Sequence, residues 1–270
     1  MINIQSLEFS HLKQDKLFKN LSLNLEPGSI TGLLGKNGAG KTSLLKLIAG
    51  ILFSEKGDIN ILGHQPKKRQ PAFLEMVYYL PEEFYLPSTS VKNYIKANSC
   101  FYPNFDQELM KHQLQEFEIP VKNRLDKMSY GQKKKFLISF ALSTKCKLLI
   151  LDEPTNGLDI PSKTIFRKLL AGALDENQLV LISTHQIKDV ENLIDRIIVL
   201  NNGEVILDQD IMTISDKFRF VTLPDLNSSS ILYHETSPGG YRVILPSDGN
   251  SSQVDIELLF NAITKGIKLY

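Results

Sequence analysis

Residues 35–42 read Gly-Lys-Asn-Gly-Ala-Gly-Lys-Thr, which fits the pattern G-x-x-x-x-G-K-[ST] at every fixed position. The run stands between a short apolar stretch, 30–34, with the look of a buried strand, and residues 42–49, where Leu44, Leu45, Leu47 and Ile48 recur at helical spacing before Gly50. A strand running through a glycine loop into a helix is the context that gives such a match meaning. The glycines permit backbone angles that turn successive N–H groups inward at a positive helix end, a cradle suited to phosphate oxygens. Gly35, Asn37, Gly38, Ala39, Gly40, Lys41, Thr42 and Ser43 are therefore candidate nucleotide-binding residues. Lys41 is expected to reach the β- and γ-phosphates, Thr42 to offer a hydroxyl to Mg²⁺, and Ser43 to donate to a phosphate oxygen. A glycine-rich turn that holds nothing is the competing reading, and the flanking strand and helix weigh against it.

About a hundred residues downstream, 147–153 form an apolar strand that ends on two acids, Asp152 and Glu153. Adjacent carboxylates at the end of a buried strand are costly unless a cation or a reaction uses them. Asp152 is placed to hold Mg²⁺ through its water shell and Glu153 to orient and polarise an attacking water. The alternative is a helix start, with Pro154 as an early helical residue.

Around these motifs the chain alternates in a way that indicates a parallel sheet with crossover helices: strand 147–151, helix 162–174, strand 179–183, helix 187–194, strand 196–200. Residues 2–9 and 21–26 alternate polar and apolar positions, as strands packed on one side do. Between about 86 and 145 the pattern turns helical and aromatic, which reads as an inserted helical subdomain. After about 214 come Ser228-Ser229-Ser230, two strand-like runs about Pro238-Gly239-Gly240, and an amphipathic segment 254–263, together a small α+β tail.

Bulk properties narrow the class further. A net charge of +1 over 270 residues gives no strong attraction for nucleic acid. The two cysteines, Cys100 and Cys146, are too few for a disulfide framework and read as reduced thiols. The most apolar stretches are strand-length, far below the roughly 20 residues a bilayer requires. Residues 1–12 lack the basic start and apolar centre of a secretory signal, so a cytoplasmic address is expected.

The motifs, in this order over roughly residues 1–210, resemble the ABC (ATP-binding cassette) ATPases. Ser129-Tyr130-Gly131-Gln132, after Met128, is similar to the signature segment that points at the γ-phosphate held by the opposite subunit. Asp152 to Asp159 resembles the acidic strand end and the loop after it, which implies Asp159 at a dimer interface. Ser183-Thr184-His185 is similar to the switch that carries a histidine to the γ-phosphate, which makes Glu153 and His185 the catalytic candidates.

The resemblance implies an α/β P-loop NTPase cassette, residues 1–213, with an N-terminal antiparallel β part, the helical subdomain at about 86–145, and an accessory module at 214–270. It implies ATP and Mg²⁺ as ligands, and a homodimer or a heterodimer with a related ATPase. It also implies a membrane permease on a separate chain, peripheral attachment to the inner face of the cell membrane, and no nucleic-acid partner.

Three positions depart from the family pattern. Glu82 stands where glutamine is usual, which resembles the subgroup serving ABC-2 type exporters; it makes Glu82 a candidate metal contact that can accept but, when ionised, not donate. Tyr130 replaces a glycine of the signature, so a side chain must either fit near the nucleotide or turn away. His11 stands where an aromatic stacks on adenine. Phe84, Tyr85, Tyr94, Phe101, Tyr102 and Phe105 could line a groove for a permease helix or simply pack the helical subdomain, and the sequence leaves the two open. The tail is open between a regulatory module, a dimer brace and a cover for a sheet edge. A soluble ABC protein that serves no transporter, for example an assembly or repair scaffold, is the rival reading; repair-type members usually split the cassette with long coiled coils and translation-type members usually carry two cassettes, and this chain shows neither feature.

Overall fold

The computed structural model describes every residue except 13, 14, 228, 229, 251 and 270. Two thirds of the Ser228-Ser229-Ser230 run therefore lies outside the described residues. The chain opens with β1 (Ile2–Ser10) and β2 (Lys16–Leu25), then β3 (Ser29–Leu34), α1 (Lys41–Ile48) and β4 (Lys56–Ile61). β1 lies between β2 and β4 in an antiparallel sheet, and Leu21, Leu23 and Leu25 are buried as their alternation requires.

Next come α2 (Pro71–Leu74), β5 (Val77–Leu80), α3 (Val91–Asn98), α4 (Gln107–Glu116) and α5 (Tyr130–Ser143). They are followed by β6 (Leu148–Asp152), α6 (Ile160–Ala173), β7 (Leu179–Thr184), β8 (Arg196–Asn201) and β9 (Glu204–Asp210). The central sheet has the order β5-β6-β7-β3-β8-β9, parallel except for β9. Its inner strands are buried on both faces, which is why 148–152 and 179–184 read as unbroken apolar runs. One face packs on α1 and the antiparallel sheet through Leu44, Leu45 and Phe18, and the other on α5 and α6 through Phe140 and Phe166.

The tail is α7 (Ile211–Lys217), then β10 (Phe218–Leu223), β11 (Tyr233–Ser237) and β12 (Gly240–Pro246) in the order β10-β12-β11, closed by α8 (Ile256–Thr264). The expectation of two strands there is corrected to three.

A further expectation changes. Residues 187–194 do not form one helix but two 3₁₀ turns, Ile187–Asp189 and Glu191–Leu193. Tertiary ties account for it: Lys163 pairs with Asp189 at 2.7 Å, and the Asp195 N–H and carboxylate both bond the backbone of Ile30, so neither end is free to wind. The aromatic residues are also mostly interior. Phe84, Tyr94, Tyr102 and Phe105 pack against the core, and of the six only Tyr85 and Phe101 stand exposed, at 88% and 65%.

Burial separates the two thiols. Cys100 is exposed, whereas Cys146 is buried and its thiol is pushed up to about 12 by loss of solvation. Titration of the native protein with a thiol-reactive disulfide at pH 8 is expected to show one fast-reacting thiol per chain, removed by Cys100→Ser. A second fast thiol would mean that the β6 region opens readily.

Candidate functional site

Parallel pairing brings four strand ends to one edge. β3 runs into the glycine loop, β5 into Pro81-Glu82, β6 ends on Asp152, and β7 ends at Thr184 beside His185, with Asp152 opposite Ser183 and Leu34 opposite Thr184 in register. This is the edge at which α/β sheets take ligands. Gly40 caps α1 at φ 105°, an angle that an L side chain resists. It starts the helix without a capping side chain, so the first N–H groups of α1 are left for a ligand.

A cleft of about 480 Å³ opens here, lined by His11, Asn37, Gly38, Gly40, Lys41, Thr42, Ser43, Glu82 and Glu153. Lys41 is mostly buried and its ammonium donates to the Gly35 carbonyl at 2.7 Å and more weakly to Lys36 at 3.4 Å. Burial lowers its pKa from the usual lysine range, while Glu153, Asp152 and Glu82 pull it the other way. A cation folded back on its own loop carbonyls, with three carboxylates near, is placed to turn to a polyanion. His11 Nε2 lies 2.9 Å from Ser43 Oγ, and its ring meets Phe9 edge-on at 4.9 Å, so one face of the cleft is an imidazole held by both neighbours.

Asp152 is almost fully buried. Its Oδ1 accepts from the Ser183 hydroxyl and its Oδ2 from Tyr79 at 3.1 Å. Burial first, and then the Asp152 charge, drives the Tyr79 phenol far above its ordinary range, so it remains a donor. Glu153 sits at φ 47°, a left-handed conformation rare for a non-glycine residue and found where function overrides local preference. Its N–H donates to the Ser183 carbonyl at 3.1 Å, and its Oε1 lies 2.8 Å from His185 Nδ1. A carboxylate only accepts, so the Nδ1 proton points at Glu153 and His185 Nε2 is left for another partner.

The other expected residues lie apart from this cleft. Ser129 caps α5 in a reciprocal box: its hydroxyl accepts from the Gln132 N–H, and Gln132 Oε1 from the Ser129 N–H. Neither residue, nor Gly131, lines the cleft. The Tyr130 side chain turns to its own chain, with its hydroxyl donating to the Glu82 carbonyl at 2.8 Å. Asp159 caps α6 by accepting from the Ser162 N–H at 2.9 Å, and hydrogen bonding to the Ser162 side chain first, then to its N–H, lowers its pKa. Ala39 is buried within the glycine loop.

Sequence reasoning passed over Tyr79, Ser183, Asn156 and Gln186. Asn156 donates to Glu82 Oε1 at 2.9 Å and accepts from Gln186 at 3.0 Å, which joins the loops after β5, β6 and β7. For Tyr79 a signal was present: in Val77–Leu80 consecutive tyrosines must face opposite sides of the strand.

A glycine loop, a buried lysine and a strand-end acid pair at one parallel-sheet edge define a nucleotide-binding, phosphate-cleaving protein of the P-loop class. The ABC transporter family model matches residues 18–156, and this chain belongs to that family. It is 25% identical to the ABC transporter ATP-binding protein YtrB of Bacillus subtilis, over 97% of both chains. It is 31% identical to the SkfA peptide export ATP-binding protein SkfE of the same organism, over 77% of this chain and 88% of that one. Among solved structures, an ATP-binding subunit of an ABC transporter superposes with a TM-score of 0.72 at 23% identity, covering 79% of this chain and 91% of that one. The MJ0796 cassette, solved as a post-hydrolysis dimer with ADP and Pi, superposes at 0.68 and 19% identity, covering 78% and 98%. The chain is thus an ATP-binding subunit of an ABC transporter, and ATP hydrolysis is its activity.

Proposed function

We propose that two copies of this chain enclose two ATP molecules, each held by residues 35–43 of one copy and 129–132 of the other, and that hydrolysis reopens the pair to drive a separate export permease. The observation that carries this reading is a half-built site: Lys41, Thr42, Glu82 and Glu153 share one cleft, whereas Ser129, Gly131 and Gln132 lie outside it at the start of α5. Backbone N–H groups at a helix start suit a phosphate, and a second cassette, another copy or a related ATPase, brings them to this one.

Within one half, His11 lies against the base, Lys41 holds the β- and γ-phosphates, Glu153 orients and polarises the attacking water, and His185 reaches the γ-phosphate through Nε2. Thr42, Asp152 and Glu82 are hard oxygen donors, and each Asp152 oxygen keeps a lone pair beyond the one hydrogen bond it accepts, so the set fits Mg²⁺. When bound, that ion neutralises charge across the β- and γ-phosphates. Asp159, beside the exposed Ile160, belongs to the dimer face. ATP favours the closed pair because it has more contacts there than in the open one.

No helix among the described residues is long and apolar enough to cross a membrane. In this reading a permease on another chain supplies the path, with this subunit, residues 1–213 as motor and 214–270 as accessory module, on the inner face of the cell membrane. Tyr85 and Phe101 offer the permease an aromatic surface. Export follows the resemblance at Glu82 and the name of the SkfE relative.

A mixing experiment tests the shared site. Lys41→Ala and Ser129→Arg chains are each expected to be inactive alone. A mixed dimer retains one intact site, so equimolar mixing should restore up to about a quarter of the wild-type ATPase rate. No recovery from chains shown to exchange would overturn the arrangement.

A further inference from the structure

We propose that Tyr130 is a positioning residue for Glu82 of its own subunit, its side chain fastening the loop after β5 to the start of α5 rather than touching the partner's nucleotide. The idea rests on the role given above to Glu82. The Tyr130 hydroxyl donates to the Glu82 carbonyl at 2.8 Å, and its ring stacks on Phe84 at 5.2 Å and 19°. Lys134, one turn along α5 and fully buried, adds 3.4 Å contacts to the Pro81 and Glu82 carbonyls and lies 5.5 Å from the centre of the Phe84 ring.

On its other side the Tyr130 ring covers Gly157, where an added Cβ would come within 2.5 Å of a ring carbon. Gly157 is also at φ 78°, so glycine satisfies both demands. The neighbouring Asn156 holds the Glu82 carboxylate itself at 2.9 Å. Main chain, flanking ring and carboxylate of the Glu82 loop are thus each secured by α5 or by the loop after β6. The aim of Glu82 into its own cleft depends on a side chain in the segment that meets the partner's nucleotide. Movement of α5 at one site is then transmitted to the acid at the other.

Steady-state ATP hydrolysis by the full chain, with Mg²⁺, distinguishes the two roles. Tyr130→Phe keeps the stack and the cover over Gly157 and removes only the hydroxyl bond. It is expected to lower kcat by about fivefold, the rate equivalent of one ordinary hydrogen bond, with KM for ATP unchanged. Combined with Glu82→Gln, it should lower kcat no further than Glu82→Gln alone. Multiplying effects in the double variant, or a raised KM with kcat intact, would overturn the proposal. If Glu82→Gln is slow and Tyr130→Phe turns over normally, only the positioning role falls. If Glu82→Gln itself matches wild type, the role of Glu82 falls too.

Discussion

Replacing Glu153 by glutamine is expected to slow phosphate release by roughly 10²–10⁴-fold, the range a positioned general base contributes, while ATP still binds. The expectation comes from how little else the substitution disturbs. The backbone at φ 47° is fixed by N–H bonds to the Ser183 carbonyl at 3.1 Å and hydroxyl at 3.2 Å, and glutamine keeps both. Its amide oxygen can still accept from His185 Nδ1, now 2.8 Å from the carboxylate. What disappears is the negative charge that polarises water and takes its proton. The variant should therefore separate binding from chemistry: nucleotide affinity near wild type, turnover nearly gone, and, if ATP closes the pair, a dimer that persists on gel filtration with ATP but not with ADP. Turnover within threefold of wild type would show that the strand-end acid is structural and that water is activated elsewhere.

The parts of this site that could be read in the sequence are those set by local geometry. A glycine loop between strand and helix needs fixed residues at fixed spacing, and an acid pair closing an apolar strand conflicts with burial strongly enough to stand out. What could not be read are the ties between distant segments, which depend on side-chain reach across the assembled sheet edge. Ser183 bonding to Asp152, Asn156 to Glu82 and Tyr130 to the Glu82 carbonyl join residues 31, 74 and 48 positions apart. The same cause undid the helix expected at 187–194: its spacing was helical, but Asp189 and Asp195 answer to Lys163 and Ile30. β9 was missed although Asn202-Gly203 marks a hairpin turn, because its exposed face hides the alternation.

The aromatic residues of the helical layer lead to the second large effect. Phe140→Ala is expected to cost about 3–5 kcal/mol of unfolding free energy, the range for deleting a buried phenylalanine from a packed core. Phe140 is 1% exposed, and five rings surround it: Phe105 at 5.1 Å, Tyr94 at 5.6 Å, Tyr78 at 5.9 Å, Tyr102 at 6.0 Å and Phe136 at 6.4 Å. Removing the ring leaves a void among them and takes away the edge-to-face contacts with Tyr94 and Tyr102, each worth about 0.5–1.5 kcal/mol beyond burial. Phe101→Ala, at an exposed ring of the same layer, should stay within about 0.5 kcal/mol of wild type. Urea unfolding monitored by circular dichroism measures both. The contrast also bears on function, since Phe140 seats the helix whose first turn carries Ser129 and Tyr130. A loosened α5 should therefore lower ATP turnover well before the protein unfolds, whereas Phe101→Ala should leave turnover unchanged. A Phe140→Ala protein losing less than about 1 kcal/mol, below any buried phenylalanine deletion, would mean that these rings are not the core that holds α5 in place.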